Sequence, residues 1–215
     1  MFINIHSHHK AAENQFVIQN LSNNFEKKQE PGYYSAGLHP WYIDDGKWQQ
    51  QFDVLKKISL QDNIIAIGEC GLDRICRTDY TLQKEVFLSQ LLWANEIKKP
   101  LIIHCVRAHE EILQLLKTKN NTVPVIFHGF NKNIILAKKI LDAGHWISFG
   151  KALISSKLHE VFLEIPGDRY FLETDDAAFS IEQVYDSATA IKKISLEALD
   201  LQLRKNVQQV FNTTL

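Results

Sequence analysis

Eight short β-type runs, most of them followed by a longer amphipathic stretch, constrain the fold of this chain more than any other feature. The runs are FINIH at 2–6, FVIQNLS at 16–22, YYSAGLH at 33–39, IIAIGE at 64–69, LIIH at 101–104, VPVIFH at 123–128, HWISFG at 145–150 and RYFLET at 169–174. Helix-like segments lie between or after them: DDGKWQQQFDVLKKISL, TLQKEVFLSQLLWANEIKK, AHEEILQLLKTK, NKNIILAKKILDAG and the C-terminal ISLEALDLQLRKNVQQVFN. In the second of these, Leu82, Val86, Leu88, Leu91, Leu92 and Ile97 approximate the helical period, with Thr81 as the expected N-cap.

Strands that alternate with helices form parallel βαβ units, and eight of them predict an α/β fold of the TIM type, a (β/α)8 barrel, rather than an open sheet. The connection from the first run to the second holds only about nine residues, fewer than a helical crossover needs. The barrel is therefore expected to be distorted, or to miss a helix, in its first crossover. No repeat, low-complexity tract or Pro/Gly/Ser linker divides the sequence, so residues 1–215 are read as a single domain.

Lys+Arg at 24 against Asp+Glu at 25 leaves a formal charge of −1, so no global positive field draws in a polyanion, and a nucleic-acid substrate would need a local basic site. Cys70, Cys76 and Cys105 fit neither a paired disulfide framework nor a CxxC metal pattern. With no signal-peptide pattern and no apolar run of about 20 residues, the expectation is a cytoplasmic protein with no membrane association and no obligate protein partner.

The chemistry collects at the strand ends. Alternation along a strand puts Asn4, His6 and His8 on one face and Ile3 and Ile5 on the other. Four other apolar runs end in a residue able to bind metal: IIAIG in Glu69, LII in His104, VIF in His128, and FLET in Asp175 just past Glu173. Strand C-termini are where such barrels hold their active sites. Imidazole and carboxylate are ligands of divalent metals, and six such groups suffice for two ions, Zn, Mg or Mn. One lone His or Glu at a strand end is ordinarily a satisfied polar residue; agreement across five strands is not. His9, His109, His145 and His159 sit in loop or helix contexts and are read as surface residues. Cys70 and Cys105 follow Glu69 and His104, so alternation turns them away as packing residues.

HSH near the N-terminus, GLHP, IGECGLD, IIHCVRA, FHGF and LETDDA, in this order, resemble the signature blocks of the TatD-type metal-dependent deoxyribonucleases of the amidohydrolase superfamily. The resemblance runs from residue 2 to about 177. It implies a binuclear site in which His6, His8 and Asp175 hold one ion, His104 and His128 the other, and Glu69 bridges them. It also implies hydrolysis of phosphodiester bonds in DNA, single-stranded for preference, with Asp175 and Glu69 catalytic. The chain departs from the pattern at Asn4, where the family usually has Asp, and at Arg107, one position later than the family's arginine.

Arg74, Arg77 and Arg107 are candidates for holding phosphates, because guanidinium forks match phosphate oxygens. His39 in GLHP is assigned a substrate-side role, with a supporting or structural role as the alternative. Tyr33, Tyr34, Trp41 and Tyr42 flank that motif; burial is the first reading, and an exposed ring that stacks on a base the second. The rival function is an amidohydrolase-like enzyme cleaving an amide, lactone or small phosphoester with the same ions, since fold does not fix function. A non-catalytic protein on a retained barrel ranks last, because all six ligands are present.

Overall fold

The structure is a computed structural model that describes residues 1–22, 25 and 31–215. Its strands are β1 (Phe2–Ser7), β2 (Gln15–Asn20), β3 (Tyr33–Ala36), β4 (Ile64–Asp73), β5 (Leu101–Val106), β6 (Val125–Phe127), β7 (Trp146–Phe149) and β8 (Tyr170–Leu172). They form one sheet in the order β1-β2-β3-β4-β5-β6-β7-β8, the order of a (β/α)8 fold. All eight follow the runs read from the sequence. The helices are α1 (Trp48–Ile58), α2 (Tyr80–Ile97), α3 (His109–Thr118), α4 (Ile134–Asp142), α5 (Lys151–Ile154), α6 (His159–Glu164), α7 (Ile181–Lys192) and α8 (Leu196–Phe211). The short segment 8–14 joins β1 to β2 without a helix, as its length requires.

Two details correct the sequence expectation. Asp79, not Thr81, caps α2 by accepting from the Leu82 N–H, because a carboxylate one residue before the first helical turn reaches an orphan donor. The helices α5, α6 and α7 were not anticipated. The first two are too short to show periodicity, and the buried stripe of α7 is confined to Ile181, Val184, Tyr185 and Ala188, with Asp186, Ser187 and Thr189 between and beyond them. A signal for α7 was nevertheless present: Ser180 and Gln183 form a reciprocal capping box.

The chain divides into two compact units, Met1–Gln19 with Phe127–Leu215, and Asn20–Ile126. In the first unit β1 pairs with β2 and β7 with β8, both in parallel. Its core is built from Ile3, Ile5, Phe149, Tyr170 and Phe171 of the strands and Leu199, Leu203 and Val207 of α8, all buried. In the second unit β4 pairs in parallel with β3 and β5. There Tyr34, Ala36, Leu38, Ile64, Leu55, Ile58, Leu82 and Val86 make a continuous apolar cluster.

Two glycines explain themselves in this second unit, one in IGECG and one in GLHP. A Cβ at Gly71, whose φ is +143°, would stand 2.0 Å from the His104 carbonyl oxygen, and one at Gly37 would stand 2.7 Å from that of Glu69. Only residues without a side chain let these backbones approach so closely. That approach brings the strand ends bearing His39, Glu69 and His104 together.

Candidate metal centre

In the first unit the end of β1 is tied to the segment just after β8. The His8 N–H donates to the Asp175 carbonyl and the Asp175 N–H to the His6 carbonyl, each at 3.0 Å. This main-chain ladder sets three side chains against one another: His6 Nε2 lies 3.5 Å and His8 Nε2 3.4 Å from Asp175 Oδ1. Burial pushes the Asp175 carboxyl up, but hydrogen bonds from His6 and His8 and the charges of His128 and His6 outweigh it and hold the group well below the usual aspartate range. The His128 ring packs 4.3 Å from that of His6. Behind His128 stands the buried Glu173, 3.5 Å from its Nδ1, which also accepts from the Gly129 N–H and the Ser148 hydroxyl.

Asn4 supports this arrangement from below. Its amide Nδ2 donates to the Thr174 hydroxyl at 2.8 Å while its Oδ1 accepts from the Thr174 N–H at 3.1 Å. The Thr174 hydroxyl in turn donates to Ser7 Oγ at 3.1 Å. An amide serves both directions at once, which an ionised carboxylate cannot do.

In the second unit Glu69 is the hub. His104 Nδ1 lies 2.9 Å and His39 Nε2 3.2 Å from its Oε1, and Asn20 Nδ2 donates to its Oε2 at 3.1 Å. The other nitrogen of His104 faces Asp73 Oδ2 at 3.1 Å, and the Trp41 indole N–H donates to that same oxygen at 2.7 Å. Burial pushes the Asp73 carboxyl up, but the hydrogen bonds from Trp41, the Ile75 N–H and His104 hold it below its ordinary value. Two glutamines of α2 fix the backbone beneath. Gln83 accepts from the Asp73 N–H and donates to its carbonyl, and Gln90 does the same for Leu38, next to His39.

The six expected ligands thus fall into each unit's own constellation: His6, His8, His128 and Asp175 in the first, Glu69 and His104 in the second. His39, expected on the substrate side, stands within the donor group of Glu69 and His104. Arg74 is engaged at 2.7 Å with Glu111 and lies over the Tyr80 ring, whereas Arg77 and Arg107 are exposed. Arg107 adopts a left-handed φ of +56° just after β5. Trp41, Tyr42 and Tyr33 are 55%, 50% and 36% exposed, so burial is the wrong reading for these three and the right one for Tyr34. His145 is not a free surface residue either: it packs beside Phe127, and burial lowers it to about 4. Cys70 is fully buried, and burial with the neighbouring Glu69 charge pushes its thiol up, as befits a packing residue.

Sequence reasoning missed Asp73, Asn20, Gln83 and Gln90. Asp73 was accessible, because it stands four residues after Glu69 on the same strand and therefore on the same face. The glutamines had a fainter signal, two polar residues seven apart on an otherwise apolar helical face.

Both groups suit a divalent cation. Within His6, His8 and Asp175, and within His39, Glu69 and His104, the donor atoms all lie within 4.8 Å of one another. Two imidazoles with one carboxylate match zinc and related ions. Carboxylates set behind histidines, as Asp73 and Glu173 are, orient such ligands and raise their basicity. An open cleft in the first unit passes from Asp175 and Asp176 to three exposed lysines, Lys132, Lys151 and Lys157.

Comparison with known proteins agrees with this chemistry. A family model described as TatD related DNase matches residues 10–212. An uncharacterised metal-dependent hydrolase of Buchnera aphidicola subsp. Baizongia pistaciae is 32% identical over 196 residues, covering 83% of this chain and 73% of that protein. The 3'-5' ssDNA/RNA exonuclease TatD of Klebsiella pneumoniae is 30% identical over 169 residues, 73% of this chain and 63% of that protein. The crystal structure of YjjV, a TatD homologue from Escherichia coli K12, superposes with a TM-score of 0.82 over 99% of this chain and 98% of that one, at 20% identity.

Proposed function

Because the chain belongs to the TatD related DNase family of metal-dependent hydrolases, we propose that it cleaves phosphodiester bonds of single-stranded DNA with two divalent ions, zinc, magnesium or manganese. The observation that carries this reading is the pair of imidazole–carboxylate groups at strand ends, each with donor atoms within 4.8 Å of one another. As the family resemblance implies, His6, His8 and Asp175 would hold one ion and His104 and His128 the other, with Glu69 serving both. Such ions supply Lewis acidity, activating a water and neutralising charge on a phosphoryl oxygen.

The chain's own residues contribute the remainder. Asp175 is held as a carboxylate by His6 and His8, so it is available to accept a proton from an attacking water and pass it to the leaving oxygen. Asp73 and Glu173 keep the rings of His104 and His128 in fixed orientation. The exposed lysines of the cleft beside Asp175 supply the local positive charge that the chain as a whole lacks, and so support a polyanionic substrate over a neutral amide or lactone. Arg77 and Arg107, both exposed, are positioned to join them from solvent, while Arg74 is committed to Glu111.

The test is direct. Metal-loaded protein incubated with end-labelled single-stranded DNA should shorten it, and a chelator should stop the reaction. Turnover of lactones or amides with the DNA left intact would replace this reading with the amidohydrolase one.

A further inference from the structure

Adjoining exposed aromatic rings at the rim of a polar centre form the kind of contiguous apolar patch that marks a ligand-binding surface. Trp41 and Tyr42 stand on the short turn Pro40–Tyr42 after His39, and the two residues are about half exposed. The turn is pinned. Gln90 clamps the backbone at Leu38, the His39 ring Nδ1 accepts from the Trp41 N–H at 3.1 Å, and the indole N–H is held by the buried Asp73. Trp41 is therefore a rigid exposed ring rather than a mobile one.

Its ring neighbours stand at steep angles to it. The rings of His39, His104 and Tyr42 lie 5.3, 6.1 and 6.4 Å away at interplanar angles of 89, 73 and 74°, so among the described residues none stacks parallel on the indole. The same ring is one hydrogen bond from Asp73, which orients His104. A flat group lying on Trp41 would thus sit next to the Glu69 donor group, since the Trp41 and His104 ring centroids are 6.1 Å apart.

We propose that Trp41, with Tyr42 at its edge, is a stacking platform for a nucleobase of the strand being cleaved. A nucleobase is the flat apolar partner that a phosphodiester substrate brings, and stacking is tolerant of base identity because every base has a π-face. The proposal rests on the nuclease reading above and names the substrate feature that the second unit recognises.

The chain carries its own probe. Of its four tryptophans, Trp48 and Trp146 are buried and Trp93 is half-buried, so a ligand on the platform acts on the one exposed indole. A hydrolysis-resistant phosphorothioate oligothymidylate should quench the tryptophan emission of the metal-loaded protein to saturation, and an abasic strand of the same length should not. Trp41→Ala should remove the quench and weaken binding, read by anisotropy of a labelled strand, by roughly 5- to 100-fold. Trp41→Phe, which keeps a stacking face, should recover most of that affinity, and Tyr42→Ala should lose less than Trp41→Ala.

Equal binding of base-bearing and abasic strands by the parent protein overturns the inference, and so does unchanged affinity in a folded Trp41→Ala. The parental comparison decides alone if that variant does not fold. Cleavage is scored separately. Base-dependent binding without cleavage keeps the platform and ends the nuclease reading, whereas cleavage with base-independent binding does the reverse.

Discussion

The two donor groups use the same chemistry and are held by different means. His6, His8 and Asp175 are fixed by main chain, with β1 and the residues after β8 exchanging backbone hydrogen bonds at the ligands themselves. His39, Glu69 and His104 are fixed by side chains drawn from other elements: Asp73, Trp41, Asn20 and the glutamines of α2. A backbone ladder survives substitution of its side chains, whereas a side-chain scaffold can be undone by one distant change. The second group should therefore be the more fragile under mutation, although its carboxylate is the better buried, with Glu69 6% exposed against 42% for Asp175.

That contrast can be broken most directly at Glu69. Glu69→Ala should cut hydrolysis by more than about 100-fold, since loss of a mere outer partner already costs 10–100-fold. Metal analysis of the same variant should find both ions weakened, while His8→Ala weakens one. Unaltered metal content in Glu69→Ala would remove it from the centre.

The next effect concerns the scaffold. Asp73→Asn should lower metal affinity at the second group by roughly 10–100-fold through its hold on His104. Gln90→Leu leaves a buried N–H and C=O at Leu38 without their partner, a cost of about 1–3 kcal/mol that denaturant unfolding would register. If Thr174→Val, the matching change in the first unit, proves equally damaging to metal binding, the asymmetry between the groups is wrong.

A smaller effect is expected at Asn4. Asn4→Asp replaces a group that donates to Thr174 with one that only accepts, so the Thr174 hydroxyl must turn and abandon Ser7. A loss of about 1 kcal/mol in stability follows, with the ligands left in place by their main-chain ties.

The smallest effect separates packing from the metal groups. His145 is lowered by burial to about 4 from 6.5, so the unfolded chain binds more protons between those values. Its contribution is fully present above pH 6.5 and is lost as pH falls toward 4. Unfolding of His145→Phe across this window should show a shallower pH slope than the parent; an identical slope would assign the dependence elsewhere.

The sequence by itself determined the strand pattern and the ends that carry ligands, because side-chain alternation is a local property of a strand and eight apolar runs leave few ways to be buried. It also determined the missing first crossover helix, which is a matter of chain length. What it did not disclose was which residues hold the ligands in place. Asp73 and Gln83 meet only because α2 lies on β4, Asn20 meets Glu69 across 49 residues, and the Trp41 indole is held by a buried carboxylate 32 residues away. Those partnerships join positions far apart in the chain, so no local rule encodes them, and only the closing of strands and helices onto one another decides them.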